Sequence, residues 1–261
     1  MSFSELLGSA SYEDGILRSD VPAGWAQGRT AYGGLASSFL YERVKRQHPD
    51  LPPMRSVQIA FIGPASGAVE VTAEVLRQGK STTFVEASLK AEAGLATRGT
   101  FIFGAGRDSS VAMADNPAPE VPHVSTLDTS AFTELHPAFL HQFEVAPASG
   151  GMPFMGDGSS EMVWWGRHRD PEVHGTEVGL LCIGDLLPPA VAPMMKTFAP
   201  VSSVNWQVDT FGDDLSTEDG WYLIQTRAQW GGDGWSSQDM NIWASDGRPV
   251  AGARQTVVVF S

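Results

Sequence analysis

Residues 79–103, GKSTTFVEASLKAEAGLATRGTFIF, and residues 234–258, GWSSQDMNIWASDGRPVAGARQTVV, decide how this chain is read. They lie 155 positions apart (79 to 234) and align without a gap. Identities are confined to Gly79/Gly234, Ser81/Ser236 and Ala96/Ala251, but the pattern is shared. Each stretch passes from a glycine through a polar entry and a mixed apolar run to a turn and a final β-branched or aromatic run. One β-rich unit used twice predicts a pseudo-dimeric globule with its site between the copies.

The match continues upstream if one insertion is allowed. Residues 55–61 fall on 202–208, 147 positions on (55 to 202), and the acidic stretch 212–219 (GDDLSTED) reads as a lengthened surface turn. On these offsets Gln255 falls on Thr100 and Asn205 on Gln58, while Gly33-Gly34 has no double-glycine counterpart. The two copies are therefore expected to contribute differently to one asymmetric site.

With 261 residues, 42% hydrophobic and 18% charged, the chain is globular and forms one large or two ordinary domains. A net charge of −13 argues against a nucleic-acid partner. The single cysteine, Cys182, rules out an intramolecular disulfide and suits a reducing compartment. The opening MSFSELLGSASYEDG has neither the basic region nor the apolar core of a secretory signal, and no run reaches transmembrane length. The expectation is a cytoplasmic protein that does not insert into membranes.

In the first copy a helix is predicted over Ala31–Gln47, with Leu35, Phe39, Leu40 and Val44 on one face and the prolines after His48 ending it. Strands are predicted around Val57–Phe61, Val69–Val75, Thr83–Lys90 and Leu95–Phe103. Gly104–Pro122, poor in large apolar residues, reads as a linker, ordered or not. The second copy is predicted to carry strands near Gln142–Ala146 and Glu161–His168, then a helix near Thr176–Leu187 closed by Pro188-Pro189. Strands follow at Val201–Thr210, Trp221–Gln229, Ser236–Ala244 and Pro249–Phe260. This is an α+β plan, a helix and then antiparallel strands, twice over.

Several familiar motifs are absent. Gly79-Lys80-Ser81 lacks the earlier glycine of a phosphate-binding loop, since position 74 is Glu. There is no GxSxG elbow. The histidines form no HExxH, and His136 and His141 flank Pro137, so no metal site is expected. Cys182, between Leu181 and Ile183, reads as a small buried apolar residue rather than a nucleophile.

The residues Trp25…Gly33-Gly34-Leu35-Ala36, Phe61-Ile62-Gly63-Pro64 and Arg77-Gln78-Gly79-Lys80 resemble the first half of double-hotdog acyl-CoA thioesterases, the thioesterase II group. The closing Trp243-Ala244-Ser245-Asp246-Gly247-Arg248-Pro249-Val250-Ala251…Arg254-Gln255 resembles their second half. The resemblance covers most of the chain outside the linker. It implies two tandem hotdog folds, each an antiparallel sheet wrapped around a central helix, forming a pseudo-dimer. The corresponding division is residues 1–107, a linker over 108–131, and 132–261. It also implies hydrolysis of an acyl-CoA thioester without any cofactor, and a homodimer or higher homo-oligomer.

The family places an acid, a hydroxyl residue and a glutamine around a water. Carried over, the glutamine is Gln255, the hydroxyl position falls on Gln229 and the acidic position on Asn205, so two of the three depart from the pattern. Asp185 matches an acidic helix position and either assists the water or bonds within the core. From alternation alone, Asn205, Gln207 and Asp209 share one strand face, which is either solvated or a site. Gln255, between Ala253 and Val257, needs a partner if buried. Gly33 and Gly34 at a helix start form either an oxyanion hole or a plain helix entry. Trp25, Tyr32 and Phe61 are the candidates for an acyl pocket, and Arg77, Lys80 and Arg248 are either phosphate contacts or solvated loop charges. The alternative to hydrolysis is a hotdog that binds an acyl thioester or another apolar ligand without turnover, an option raised by Asn205. A hydratase of unsaturated acyl-CoA is weaker, for want of a suitable His/Asp pair.

Overall fold

The structure, a computed structural model, describes residues 1–129 and 137–260. The chain runs α1 (Phe3–Ser9), β1 (Ser11–Glu13), β2 (Ile16–Asp20), β3 (Ala26–Gln27), β4 (Thr30–Ala31), α2 (Gly33–Gln47), β5 (Met54–Phe61), β6 (Ala68–Gln78), β7 (Thr82–Ala91) and β8 (Gly94–Gly104). It continues through β9 (Phe143–Gly150), β10 (Glu161–His168), α3 (Glu177–Gly184), β11 (Val201–Thr210), β12 (Trp221–Gly232), β13 (Trp235–Ala244) and β14 (Pro249–Val259).

Twelve of the strands form one sheet in the order β1-β2-β6-β7-β8-β5-β11-β14-β13-β12-β10-β9, with every neighbouring pair antiparallel. Read outward from the β5–β11 seam, the two halves carry the same strand succession. Each half also holds one helix against its sheet, α2 in the first and α3 in the second. The α+β expectation of two hotdogs fused as a pseudo-dimer describes this arrangement. The seam itself is a backbone ladder from Asn205↔Ala60 to Asp209↔Ser56. It is reinforced by Thr210 Oγ1, which donates to the Met54 carbonyl at 2.6 Å.

Helix α2 begins at Gly33, two residues later than the periodicity suggested, because Ala31 belongs to β4 and Tyr32 is the N-cap. Leu35, Phe39, Leu40 and Val44 are fully buried, as their spacing requires. Helix α3 is shorter than the apolar run around it. Thr176 caps it by accepting from the Gly179 N–H at 3.1 Å, and the helix stops at Gly184, ahead of Pro188-Pro189.

The gapless 155-residue offset keeps the buried positions of β7 and β13 in phase (Thr83 with Gln238, Val85 with Met240, Ala87 with Ile242) but slips by one residue on the last strand. Residues β8 and β14 correspond in order, yet Gly99, Phe101 and Phe103 are the buried set on β8, whereas Gln255 and Val257 are buried on β14. Thr100 therefore lies on the outer face and Gln255 on the inner one. A one-residue slip turns every side chain to the opposite face of a strand. The correspondence of Gln255 with Thr100 does not hold.

Two parts of the chain carry structure that periodicity did not reveal. Helix α1 is set by a capping box in which Ser2 and Glu5 satisfy each other's backbone N–H groups. The linker lies ordered across the outer face of the second half. There Trp243 Nε1 donates to the Asn116 carbonyl at 2.8 Å and Trp165 Nε1 to the Pro122 carbonyl at 3.0 Å. Ala118, Val121, Val124 and Leu127 pack on the same tryptophans. The 131/132 domain division lies outside the described residues, as does His136.

Candidate active site

The site is built where the start of α2 meets the end of α3. Two glycines are needed here because of a close approach. A Cβ on Gly33 would collide with Asp185 Oδ2, and one on Gly34 with the Cys182 carbonyl. Tyr32 offers no side-chain cap to α2. Instead the Asp185 carboxyl packs on the Gly33-Gly34 backbone, where the Gly34 N–H favours its ionised form, and thus lies against the electropositive helix start. The helix entry holds a carboxylate from the other half of the molecule.

Asp185 is the C-cap of α3, the point at which the helix breaks toward the double proline. Its carboxyl accepts from Gln255 Nε2 at 2.8 Å. The same Nε2 donates to Ser203 Oγ at 3.0 Å. Gln255 Oε1 in turn accepts from Gln238 Nε2 at 2.9 Å, and Gln238 Oε1 accepts from the Ala190 N–H at 2.7 Å. Burial pushes the Asp185 carboxyl up to about 7, against the downward pull of Gln255 and the Gly34 N–H. Burial also raises the neighbouring Tyr32 hydroxyl and Cys182 thiol, which therefore stay neutral.

Ser203 reaches this cluster through a backbone irregularity. In the β11–β14 ladder Ser203 pairs with Val257 and Asn205 with Thr256, with a register shift between them. Beyond the shift, Trp206 and Val208 point inward, and Asn205, Gln207 and Asp209 outward. The bulge brings Ser203 beside Gln255 although it has the same parity as Asn205. Simple alternation could not have found it.

Of the four expected catalytic side chains, the structure brings together Asp185 and Gln255. Asn205 and Gln229 lie on the opposite face of the sheet. Asn205 is exposed, and its Oδ1 accepts from the Thr256 N–H at 3.2 Å. Gln229 is exposed and bonded to Asp239. Asp209 accepts from Ser56 Oγ at 2.6 Å, also on the outer face. An acid, a hydroxyl and a glutamine do meet, as Asp185, Ser203 and Gln255. Gln238 was missed as well. Its signal was a polar residue on the inward side of β13, between Ser236 and Met240.

The expected pocket residues divide. Phe61 is half-buried at the end of β5, with its ring against Gly33. Tyr32 is fully buried, stacked on Phe139 with ring centroids 4.0 Å apart, and donates to the Cys182 carbonyl at 2.6 Å. Trp25 is also buried, beside Phe3 and Phe143. These two are core aromatics that support the site rather than line an open channel. Arg248, in the turn between β13 and β14, is held against the β11–β12 loop by the carbonyls of Asp214 and Ser216, both at 2.6 Å. Arg77 and Lys80 are exposed. Among the described residues no three His, Cys, Asp or Glu side chains gather as metal ligands, and no helix is long and apolar enough to cross a membrane.

Comparison with solved structures supports the fold. A conserved hot-dog-fold protein of unknown function from Alicyclobacillus acidocaldarius superposes with a TM-score of 0.87 at 20% identity, covering 98% of this chain and 97% of that one. The tesB protein of Mycobacterium avium subs paratuberculosis gives 0.79 at 14% identity, with 100% of both chains covered. The acyl-CoA thioesterase II TesB2 of Mycobacterium marinum gives 0.75 at 16%, covering 98% and 97%. Among curated proteins none matches the sequence. The family model of the acyl-CoA thioesterase N-terminal domain matches residues 21–104 and that of the C-terminal domain residues 113–259. Since the second match alone spans more than half of its length, the chain belongs to the acyl-CoA thioesterase family.

Proposed function

We propose that this protein hydrolyses an acyl-CoA thioester by direct attack of water. The observation that carries the reading is the hydrogen-bonded set Asp185–Gln255–Ser203, placed against the first turn of α2. Asp185 is the general base. A carboxyl that titrates at about 7 is half ionised near neutrality and is a far better proton acceptor than an ordinary aspartate. Ser203 Oγ accepts from Gln255 and keeps its own O–H to orient the water.

The water oxygen bonds to the thioester carbonyl carbon while its proton passes to Asp185. The charge that develops on the carbonyl oxygen is received at the α2 N-terminus, beside Gly33. Collapse of the intermediate breaks the C–S bond, and the departing thiolate takes the proton back from Asp185. The products are the free acid and the coenzyme A thiol, with no covalent acyl-enzyme. Phe61, whose ring lies beside Gly33, contacts the acyl group.

The reading with a lost carboxylate, on which non-catalytic binding rested, loses its ground because Asp185 supplies the acid. The test is thiol release from acyl-CoAs of graded chain length, for the wild-type protein and for Asp185→Asn. Release by the wild type and a drop of about 100-fold or more in the variant support the proposal. No release on any chain length, or equal release by both, would overturn it.

A further inference from the structure

We propose that Gln238 is a positioning residue that fixes which end of the Gln255 carboxamide faces Asp185. The inference rests on the proposed role of Asp185 for its catalytic meaning, but not for its structural test.

A carboxamide is ambivalent. It can present either its N–H₂ or its oxygen to a neighbour, and the two orientations fill almost the same space. Turned one way, Gln255 donates to Asp185 and favours the carboxylate. Turned the other way, it would set an oxygen against a carboxylate oxygen. Something must decide between them, and neither Asp185 nor Ser203 does so unaided, because a protonated Asp185 and a rotating hydroxyl can each donate as well as accept.

The decision comes from the one partner whose role is fixed, a backbone N–H. Pro189 to Ala192 form a tight turn, closed by the Ala192 N–H donating to the Pro189 carbonyl at 2.8 Å. Val191, at φ −85° and ψ −9°, has the third-position geometry of a type I turn. Ala190 is therefore at its second position, and its N–H points into the core. That N–H can only donate, so Gln238 must offer its oxygen there and its Nε2 to Gln255 Oε1. Gln255 is then obliged to turn Nε2 to Asp185 and Ser203.

Gln238 and Gln255 are direct cross-strand partners on the inward face, 0% and 3% exposed. Two buried carboxamides are costly unless fully bonded, and here each is bonded through both ends. The titratable side chains facing Asp185 are Tyr32 and Cys182, both neutral. Neither supplies a competing charge, so the donors on Asp185 are what oppose the upward push of burial on its proton affinity.

The test reads the Asp185 carboxyl directly by 13C NMR titration, with the signal assigned by its loss in Asp185→Asn. Two variants break the relay at different links. Gln238→Met keeps the side-chain length and removes both amide bonds. Ala190→Pro removes only the N–H, at a turn position where proline's φ is favoured. Each should move the Asp185 midpoint up by about one pH unit. Thiol release at pH 7 should then fall about fivefold and recover to within about twofold at pH 9, with KM unchanged. A merely space-filling Gln238 would give no such pH-dependent recovery. In the wild type, Gln255 side-chain N–H₂ protons should show cross-peaks to the Ser203 β-protons.

Folded variants that titrate at the wild-type midpoint would overturn the proposal. So would wild-type cross-peaks placing the Gln255 N–H₂ toward Gln238 instead, a result open to measurement even if neither variant folds. Absence of thiol release by the wild type would defeat the proposed function, while the titration and the cross-peaks still decide the relay.

Discussion

Gln255 Nε2 donates to Asp185 Oδ1 at 2.8 Å across 70 residues of chain, joining the last strand of the second half to the C-cap of its helix. Asp185 also packs on the Gly33-Gly34 backbone, so the same carboxyl ties the second half to the first. The site thus exists only where the two halves meet. A helix that ends one residue before Asp185 and another that begins one residue before Gly34 are what bring the groups together.

Ser203 and Asn205 are two residues apart and face opposite sides of the sheet. Ser203→Ala should lower kcat by about tenfold to 100-fold, with stability within about 1 kcal/mol of wild type, because Gln255 keeps its bond to Asp185. Asn205→Asp should leave turnover within about twofold, since an aspartate there still accepts from the Thr256 N–H on the outer face. Steady-state kinetics with thermal melts on both variants check the contrast. A large change from Asn205→Asp would mean that the outer face takes part in the reaction.

Gly34→Ala should destabilise the fold by about 1–3 kcal/mol or more, because its Cβ would meet the Cys182 carbonyl, a backbone atom with little freedom to move. Gly33→Ala should act differently. Its Cβ would meet the Asp185 carboxyl, a side chain that can rotate away from Gln255. The expected result is a lost kcat with a smaller shift in melting temperature. Urea unfolding and kinetics on the two variants separate the effects.

Trp243→Phe should release the linker from the second half. It removes the bond to the Asn116 carbonyl and part of the packing against Ala118 and Val121. The cost should be about 1–3 kcal/mol, with faster proteolysis between residues 104 and 122 while thiol release persists. Limited proteolysis followed by mass spectrometry reads this directly.

Much of the fold was legible because strand and helix patterns are local. β10 and β11 were read to the residue, and α2 missed only its cap. The site was less legible, for two physical reasons. The bulge between Ser203 and Asn205 resets the alternation, so a period-two reading gives no sign that Ser203 faces Gln255. Asp185 gains its meaning from Gly34 and Gln255, residues 151 and 70 positions away in sequence, and no local pattern reports those contacts. The resemblance supplied the residue types of the trio, while assigning two of the three to outer-face positions. Within the trio, only Gln255, between Ala253 and Val257 on its strand face, carried a local sign of a buried polar group.

Asp185 should also leave a signature in stability. An ordinary aspartate titrates near 3.8, whereas this one, raised by burial, does so at about 7. Between those values the folded chain holds a proton that the unfolded chain has released. By linkage the stability contributed by this group is full below about pH 4, falls as pH rises toward 7, and remains lower above it. Asp185→Asn cannot ionise, so the variant should gain on the wild type across that window. The gain should reach at most about 4 kcal/mol, less what water screens from a half-buried group. Other titrating residues cancel in the difference between the two proteins. Paired urea titrations at pH 4.5, 6 and 8 give the result. A difference that stays flat with pH would show that Asp185 is ionised at ordinary acidity, and the case for it as a base poised near neutrality would fall with it.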